Sequence, residues 1–311
     1  MRIVFIGTGE IGVPVLRSLL GSQEHQVVGV VTQPDKPAGR EQRIEAPPIK
    51  AALEGRALPL LQPARIKREE AVAEIRALTP EAIVVMAYGQ ILPRSVLEIP
   101  PVACLNLHAS LLPRHRGAAP IQAAIVAGDR ESGITVMYMD EGLDTGDILL
   151  QSRFEIARDE TGGSLHDRLA LIAPDALGEA LEGLKHGNAP RVPQEASAAT
   201  YAPKLQREDG RLDWTESAEL IERKIRAFNP WPGAFVLLRG EAGRDRKLKI
   251  FSAKVVATAH TTPGEVLRGD DSITIPAKDG ALSLGEVQLE GKRRMSAAEF
   301  LRGHSAPLRV A

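Results

Sequence analysis

The amino-acid sequence predicts an α/β protein in two parts: a doubly wound N-terminal domain over residues 1–188 and a small C-terminal β-barrel over residues 207–311, joined by a linker at 189–206. Three observations predict it. Apolar runs of strand length alternate with helical patterns through the first half. A stretch rich in Ala and Pro, APRVPQEASAATYAPKL, then breaks the pattern, and short strand-like pieces punctuated by glycine follow.

The chain opens with RIVFIG, the helix-like VPVLRSLLG ending in Gly21, and VVGVV. EAIVVMA, ACLNLH, the helix-like APIQAAIVAG and GITVMYM continue the alternation, spaced as β-α units that cross over a parallel sheet. Such a sheet presents ligands at the carboxyl ends of its strands. A last helical pattern runs from Ser164 to Leu184 and ends near Gly187. Beyond the linker, one helical stretch, SAELIERKIRAF, precedes AFVLLRG, KLKIFSAKVV, GEVLRG, SITIPA and ALSLGEVQLE, a series that suits a small barrel better than more α/β structure.

Composition sets the outer limits. At 311 residues the chain is long enough for two cores, and 43 % apolar with 25 % charged residues is ordinary for a globular protein. The longest apolar stretch, Ile83 to Tyr88, is far short of the roughly 18 residues of a membrane span, and no signal-like leader is read, so no membrane partner is expected. One cysteine, Cys104, makes no internal disulfide and fits a reducing compartment; the expectation is a cytoplasmic monomer. The net charge is −1, but residues 207–311 hold 18 basic against 15 acidic side chains, a mild excess that permits a nucleic-acid partner without requiring one.

Residues 7–12 read GTGEIG, the Gly-x-Gly-x-x-Gly pattern of a dinucleotide-binding turn, and they follow a strand and open a helix as that turn requires. A nicotinamide site also needs a carboxylate about 20 residues on, at the end of the second strand, to bind the ribose hydroxyls. Here VVGVV runs into Thr32-Gln33-Pro34, and the nearest acid, Asp35, follows a proline in a loop. GTGEIG therefore reads as a tight strand-to-helix connection in which Gly7 supplies dihedrals other residues resist and Gly12 lets the helix approach the sheet. A nicotinamide-dependent oxidoreductase is the competing reading.

The densest polar information lies at the end of ACLNLH, where Asn106 and His108 share one side of a strand and Ser110 begins the turn into LLPRHRGAAPI. A second cluster, DEGLDTGDI, supplies Asp140, Asp144 and Asp147 after GITVMYM, and parallel topology would bring it to the same sheet edge. An amide, an imidazole and a carboxylate then converge. The acids lack the spacing and bidentate Glu of an EF-hand, and no metal is expected.

Together, NLHASLLPRHRGAAPI and GLDTGDI resemble the folate-dependent formyltransferase family. TQPDKPAGR and AFNPWPGAF extend the resemblance over essentially the full length, toward the members acting on charged tRNA. The resemblance implies a Rossmann-like first domain and a second domain resembling an OB-fold. It implies 10-formyltetrahydrofolate as formyl-donor cosubstrate and the free amine of initiator methionyl-tRNA as acceptor. Asn106 and His108 would donate to the formyl oxygen, and Asp144 would stabilise His108 and help relay the proton. Ser110, Leu111, Leu112 and Pro113 match the folate-binding segment, where an apolar turn with exposed backbone groups suits a flat pterin. Cys104 reads as core, not as a nucleophile.

For tRNA, the long loop TQPDKPAGREQRIEAPP carries Lys36, Arg40 and Arg43, and Arg40 matches the family's important arginine. Glu41 and Gln42 make this loop less basic than the family pattern. Arg244, Arg246, Lys247 and Lys249, or Lys292, Arg293 and Arg294, would compensate through phosphate contacts, with a merely solvated surface as the equal alternative. Arg114 and Arg116 lie near the site as candidates for substrate phosphate. Phe228 and Trp231 read as packing residues at an interdomain seam. A family member acting on a nucleotide-linked amino sugar, or a tRNA-binding protein without catalysis, are the remaining alternatives.

Overall fold

A computed structural model describes residues 1–38, 42–239, 245–258, 262–304 and 310. The chain divides into two compact units. The first takes Met1–Pro120, Glu131–Glu155 and His166–Pro203, and the second takes Ile121–Arg130, Ile156–Leu165 and Lys204–Ala311.

The first unit is built on a seven-stranded sheet. In chain order its strands are β1 (Arg2–Gly7), β2 (Gln26–Val31), β3 (Leu60–Leu61), β4 (Ala82–Met86), β5 (Ala103–His108), β6 (Glu131–Tyr138) and β7 (Ile148–Glu155). Their spatial order is β7-β6-β5-β4-β1-β2-β3, and β3, β2, β1, β4 and β5 run parallel. β-Branched runs such as AIVVM suit strands covered on both faces, and every residue of β4 is buried.

Alternation along β1 shows the double winding. Val4 and Ile6 share a core with Val72 and Ile75 of α3 (Glu69–Ala77) and Val96 of α4 (Arg94–Leu97). Phe5 faces the other way, where a Cβ on Gly12 would come within 3.3 Å of its Cζ and 3.5 Å of Ile49 on α2 (Pro48–Ala51). α1 (Val13–Gly21) starts there and buries Val15, Leu16 and Leu19, the i, i+1, i+4 spacing of one helical face.

The sheet differs from the sequence expectation in one respect that matters for the site. β6 runs antiparallel to β5, pairing His108 with Thr135 and Leu105 with Tyr138, and β7 runs antiparallel to β6. Residues 148–155 gave no strand signal of their own, because their exposure is mixed: only Leu149 is buried. Once they form β7, the short loop from β6 dictates antiparallel pairing, since parallel neighbours need a crossover of a dozen residues or more. Because β6 is antiparallel to β5, the loop 139–147 begins beside the first residues of β5, where Met139 N–H donates to Cys104 O at 2.8 Å.

Two more helices, α5 (Pro120–Ala127) and α6 (Gly162–Lys185), follow β5 and β7 in the chain, and the segment after α6 does not hang free. Val192 forms a bridge with Ile148, and Tyr201–Ala202 pairs in parallel with Arg116–Gly117.

The second unit is the expected small antiparallel-strand domain. Its strands are β8 (Phe235–Leu238), β9 (Arg246–Ile250), β10 (Ala253–Val256), β11 (Leu267–Arg268), β12 (Ile273–Ala277), β13 (Gly280–Leu284), β14 (Glu286–Leu289) and β15 (Met295–Ser296). They form two four-stranded sheets, β8-β9-β14-β15 and β10-β13-β12-β11. The β9–β14 pairing carries on as β10–β13 across a corner at Phe251–Ser252 and Gly285, where a Cβ would meet Ser252 Oγ at 2.5 Å. Such sheet-switching corners let one ladder wrap a single core. That core holds Ile221 and Ile225 of α7 (Ala218–Ala227) and Phe300 of α8 (Ala297–Arg302), packed with Val236, Ile275 and Leu282. Ser217 caps α7 by accepting from Leu220 N–H at 3.2 Å.

Candidate active site

The GTGEIG turn is structural. A Cβ on Gly7 would lie 2.7 Å from the Phe5 ring and 2.8 Å from Met86 O, so glycine is needed for space. Gly7 has no positive φ, and the expectation that it supplies unusual dihedrals is corrected. Gly9 N–H points to Ala87 O at 3.4 Å instead of outward to an anion. Asp35, the one acid near a ribose position, is held by Lys50 at 2.7 Å and Gln62 at 2.8 Å; the Lys50 ammonium beside it pulls its carboxyl below the usual range.

The candidate residues of the first unit gather at the end of β5. Cys104, Asn106 and His108 alternate onto one face, so a single strand passes from core to site: Cys104 is buried beside Met139, and Asn106 is half-buried. Burial pushes the Cys104 thiol up to about 12, which suits a packing residue and not a nucleophile. No described residue hydrogen-bonds the Asn106 carboxamide, leaving its N–H groups available.

His108 is held from both sides. Its Nε2 lies 2.9 Å from His115 O, and a carbonyl only accepts, so Nε2 carries the proton. Its Nδ1 lies 3.6 Å from Asp144 Oδ2, with the two side chains 7 % and 15 % exposed. A proton arriving at Nδ1 meets a carboxylate. Asp144 adopts φ 54°, a left-handed conformation that Asp tolerates better than most, and its Oδ2 also accepts from Gly117 N–H at 2.8 Å. His108 and Asp144 therefore meet, although the loop arrives from an antiparallel strand, and Asn106 lies two residues before His108 on the same strand. Asp140 and Asp147 stand apart: Asp140 caps its own loop through Gly142 N–H and Thr145 Oγ1, and Asp147 lies 3.6 Å from Arg191.

The segment Ser110–Pro113 differs from the exposed turn expected. Ser110 Oγ donates to Arg114 O at 2.7 Å, and Leu112 is buried. Thr135 Oγ1 donates to Ser110 O and accepts from Leu112 N–H, while Gln151 Nε2 donates to Leu112 O at 2.8 Å. Leu111 O and Pro113 O accept from Arg114 and Thr200. Leu112–Pro113 is a cis peptide. The segment is a fixed platform whose open contribution is apolar surface from half-buried Leu111 and Pro113. Thr135, fully buried in an apolar strand, was the sequence signal for this support.

Lys36 and Arg43 lie on an exposed antiparallel ribbon, Lys36–Ala38 with Arg43–Glu45, and Lys36 Nζ bonds Gln33 Oε1. Arg40 and Glu41 lie outside the described residues, as does Arg244. Of the remaining basic candidates, Arg293 and Arg294 pair with Glu299 and Glu286, and Lys247 sits 3.8 Å over the Phe235 ring. Lys249 and Lys292 are exposed, and Arg246 donates to Glu290 O at 3.1 Å. Phe228 is buried as expected of a packing residue, whereas Trp231 is 47 % exposed. Arg114 is exposed, but Arg116 is only 5 % exposed and its guanidinium is spent on Gln194. Sequence reasoning missed Gln194 because it sits in a segment without period, whose partners are far away in the chain.

The mainly parallel sheet of the first unit and the small antiparallel-strand domain of the second match the fold of a class of acyl-group transferases. The chain belongs to the formyl transferase family: residues 1–181 match the formyl transferase domain and residues 204–305 its C-terminal domain. It is 46 % identical over 306 residues to a methionyl-tRNA formyltransferase of Akkermansia muciniphila, covering 98 % of this chain and 97 % of that protein. The methionyl-tRNA formyltransferase of Magnetococcus marinus is 48 % identical over 305 residues, covering 97 % and 95 %. Among solved structures, HypX from Aquifex aeolicus in complex with tetrahydrofolic acid matches with a TM-score of 0.62 at 21 % identity, over 97 % of this chain and 47 % of that one. WlaRD, a sugar 3N-formyl transferase, matches with a TM-score of 0.64 at 16 % identity, over 94 % and 99 %. These two likenesses concern the fold.

Proposed function

We propose that the chain transfers the formyl group of 10-formyltetrahydrofolate to the free amine of initiator methionyl-tRNA, as a cytoplasmic monomer and without a metal. The observation that carries this reading is the His108–Asp144 pair at the end of the strand that bears Asn106, in a chain 46 % identical over 98 % of its length to a methionyl-tRNA formyltransferase. That likeness over nearly the whole chain, and the match of residues 204–305 to the C-terminal domain, favour a tRNA acceptor over an amino sugar.

The reaction forms a C–N bond from the methionine amine to the formyl carbon and breaks the bond from that carbon to the folate nitrogen. Negative charge grows on the formyl oxygen between the two events. Asn106 is placed to donate to that oxygen, and a preorganised donor of this kind is worth about 10²–10³ in rate. His108, whose Nε2–H is bonded to His115 O, is assigned the second donor role toward that oxygen by the family resemblance. Asp144 faces the opposite nitrogen, stabilises the charged ring and helps pass the amine proton to the departing folate nitrogen. An α-amine with a reference pKa of roughly 7.7–8.0 is partly neutral near pH 7, so no strong base is needed.

Leu111 and Pro113 supply the apolar surface for the pterin, with Ser110 and Leu112 fixing that surface from behind. Lys36, Arg40 and Arg43 take the phosphates of the tRNA acceptor end. The test is incubation with 10-formyltetrahydrofolate and charged initiator tRNA, with formylmethionine as the expected product. Formylation of an amino-sugar nucleotide instead, or of nothing, overturns the reading.

A further inference from the structure

We propose that Gln194 and Arg116 are positioning residues that hold Asp144 in place for formyl transfer, an inference that rests on the function proposed above. The Gln194 amide spans two parts of the site. Its Oε1 accepts from Arg116 Nε at 3.0 Å and Nη2 at 2.7 Å, and its Nε2 donates to Asp144 O at 2.9 Å and Gly146 O at 2.8 Å. Two donors and two accepting lone pairs are all a carboxamide has, so every one is used. The partners also fix the amide's orientation: a guanidinium only donates and a carbonyl only accepts.

The result is a closed circuit. Arg116 precedes Gly117, whose N–H holds the Asp144 carboxylate at 2.8 Å. Gln194 ties the backbone of Asp144 to the Arg116 side chain, so both the main chain and the carboxylate of Asp144 are fixed to the same two-residue stretch. Tyr201–Ala202 pairs with Arg116–Gly117, and Thr200 Oγ1 accepts from His115 N–H at 2.8 Å, so the same segment braces the residue whose carbonyl holds His108. Asp144 keeps a left-handed φ of 54°, a conformation that persists only where its surroundings determine it. Arg116 is buried, and the two charge-assisted hydrogen bonds it donates to Gln194 Oε1 give it a use that a solvated arginine lacks.

Gln194→Met keeps the size and removes all four bonds. The expected result is a fall in kcat of roughly 10- to 100-fold, the scale of a small misplacement of a reacting group, with KM for both substrates nearly unchanged. Arg116→Lys, which can still donate one bond to Gln194, should recover part of what Arg116→Met loses. A double-mutant cycle separates positioning from general support: in an Asp144→Ala background, Gln194→Met should cost less than twofold more. Amide hydrogen exchange supplies a readout without substrate, in which Gly117 and residues 144–147 should exchange faster in Gln194→Met. Unchanged kcat and exchange in Gln194→Met, or a full additional loss in the Asp144→Ala background, overturns the clamp alone. Wild-type chain without formyl transfer overturns the functional reading and the catalytic role of the clamp with it.

Discussion

The Asp144 carboxylate stands 3.6 Å from His108 Nδ1, although the loop that carries it leaves a strand antiparallel to the one that carries His108. The pair is held by Gly117 N–H on one side and His115 O on the other, so removing the charge of Asp144 should leave the frame intact. Asp144→Asn is expected to lower kcat by about 10²–10⁴, the usual range for a proton-handling group, with an unaltered circular dichroism spectrum. Turnover near that of the parent chain would remove Asp144 from the chemistry.

Asn106 differs in kind, because its carboxamide serves no described part of the fold. Asn106→Ala should therefore cost activity and not stability: kcat falls about 10²–10³, while the melting temperature stays within the scatter of a neutral surface change. A large drop in melting temperature would show that the amide supports the strand end instead.

The exposed ribbon bearing Lys36 and Arg43 should act on tRNA through phosphate charge. Replacing either by Ala is expected to weaken tRNA binding at low salt and to flatten the slope of log K against log salt by roughly 0.7–0.9. The folate KM should not move. Equal losses for both substrates would detach the ribbon from the tRNA.

Cys104 gives a prediction in pH. Its thiol is pushed up to about 12 by burial, against roughly 8.5 for an unfolded thiol. Because the folded value is the higher, the stability it contributes is complete below about pH 8.5 and is lost as pH rises toward 12. The native chain should resist alkylation at pH 8, and its melting temperature should fall more steeply above pH 9 than that of Cys104→Ala. Equal slopes for the two chains would falsify the linkage.

Much of the candidate site is legible as geometry because its residues sit in short segments. Asn106 and His108 are two apart on one strand, and a period of two places them together whatever the rest of the chain does. Asp144 was legible as an acid on a glycine-punctuated loop, but the route proposed for it was not correct. The strand-helix-strand spacing of ACLNLH, APIQAAIVAG and GITVMYM points to parallel pairing, yet β6 pairs antiparallel with β5. The Ser110–Pro113 turn was placed correctly in the chain, yet its backbone groups prove to be engaged by Thr135, Gln151 and Thr200, all remote in sequence.

The sequence by itself determined the alternation of strands and helices, the change to short antiparallel strands after the linker, and the absence of a ribose-binding acid behind GTGEIG. These follow from local periodicity and from single residues at fixed offsets. Only the tertiary structure decided the direction of β6, the use of Gly7 for space beside Phe5 and Met86, and the binding of Gln194 to Arg116 and the Asp144 loop. Each depends on residues tens of positions apart, such as Met86 beside Gly7 and Gln194 beside Arg116, and contacts of that kind carry no period along the chain.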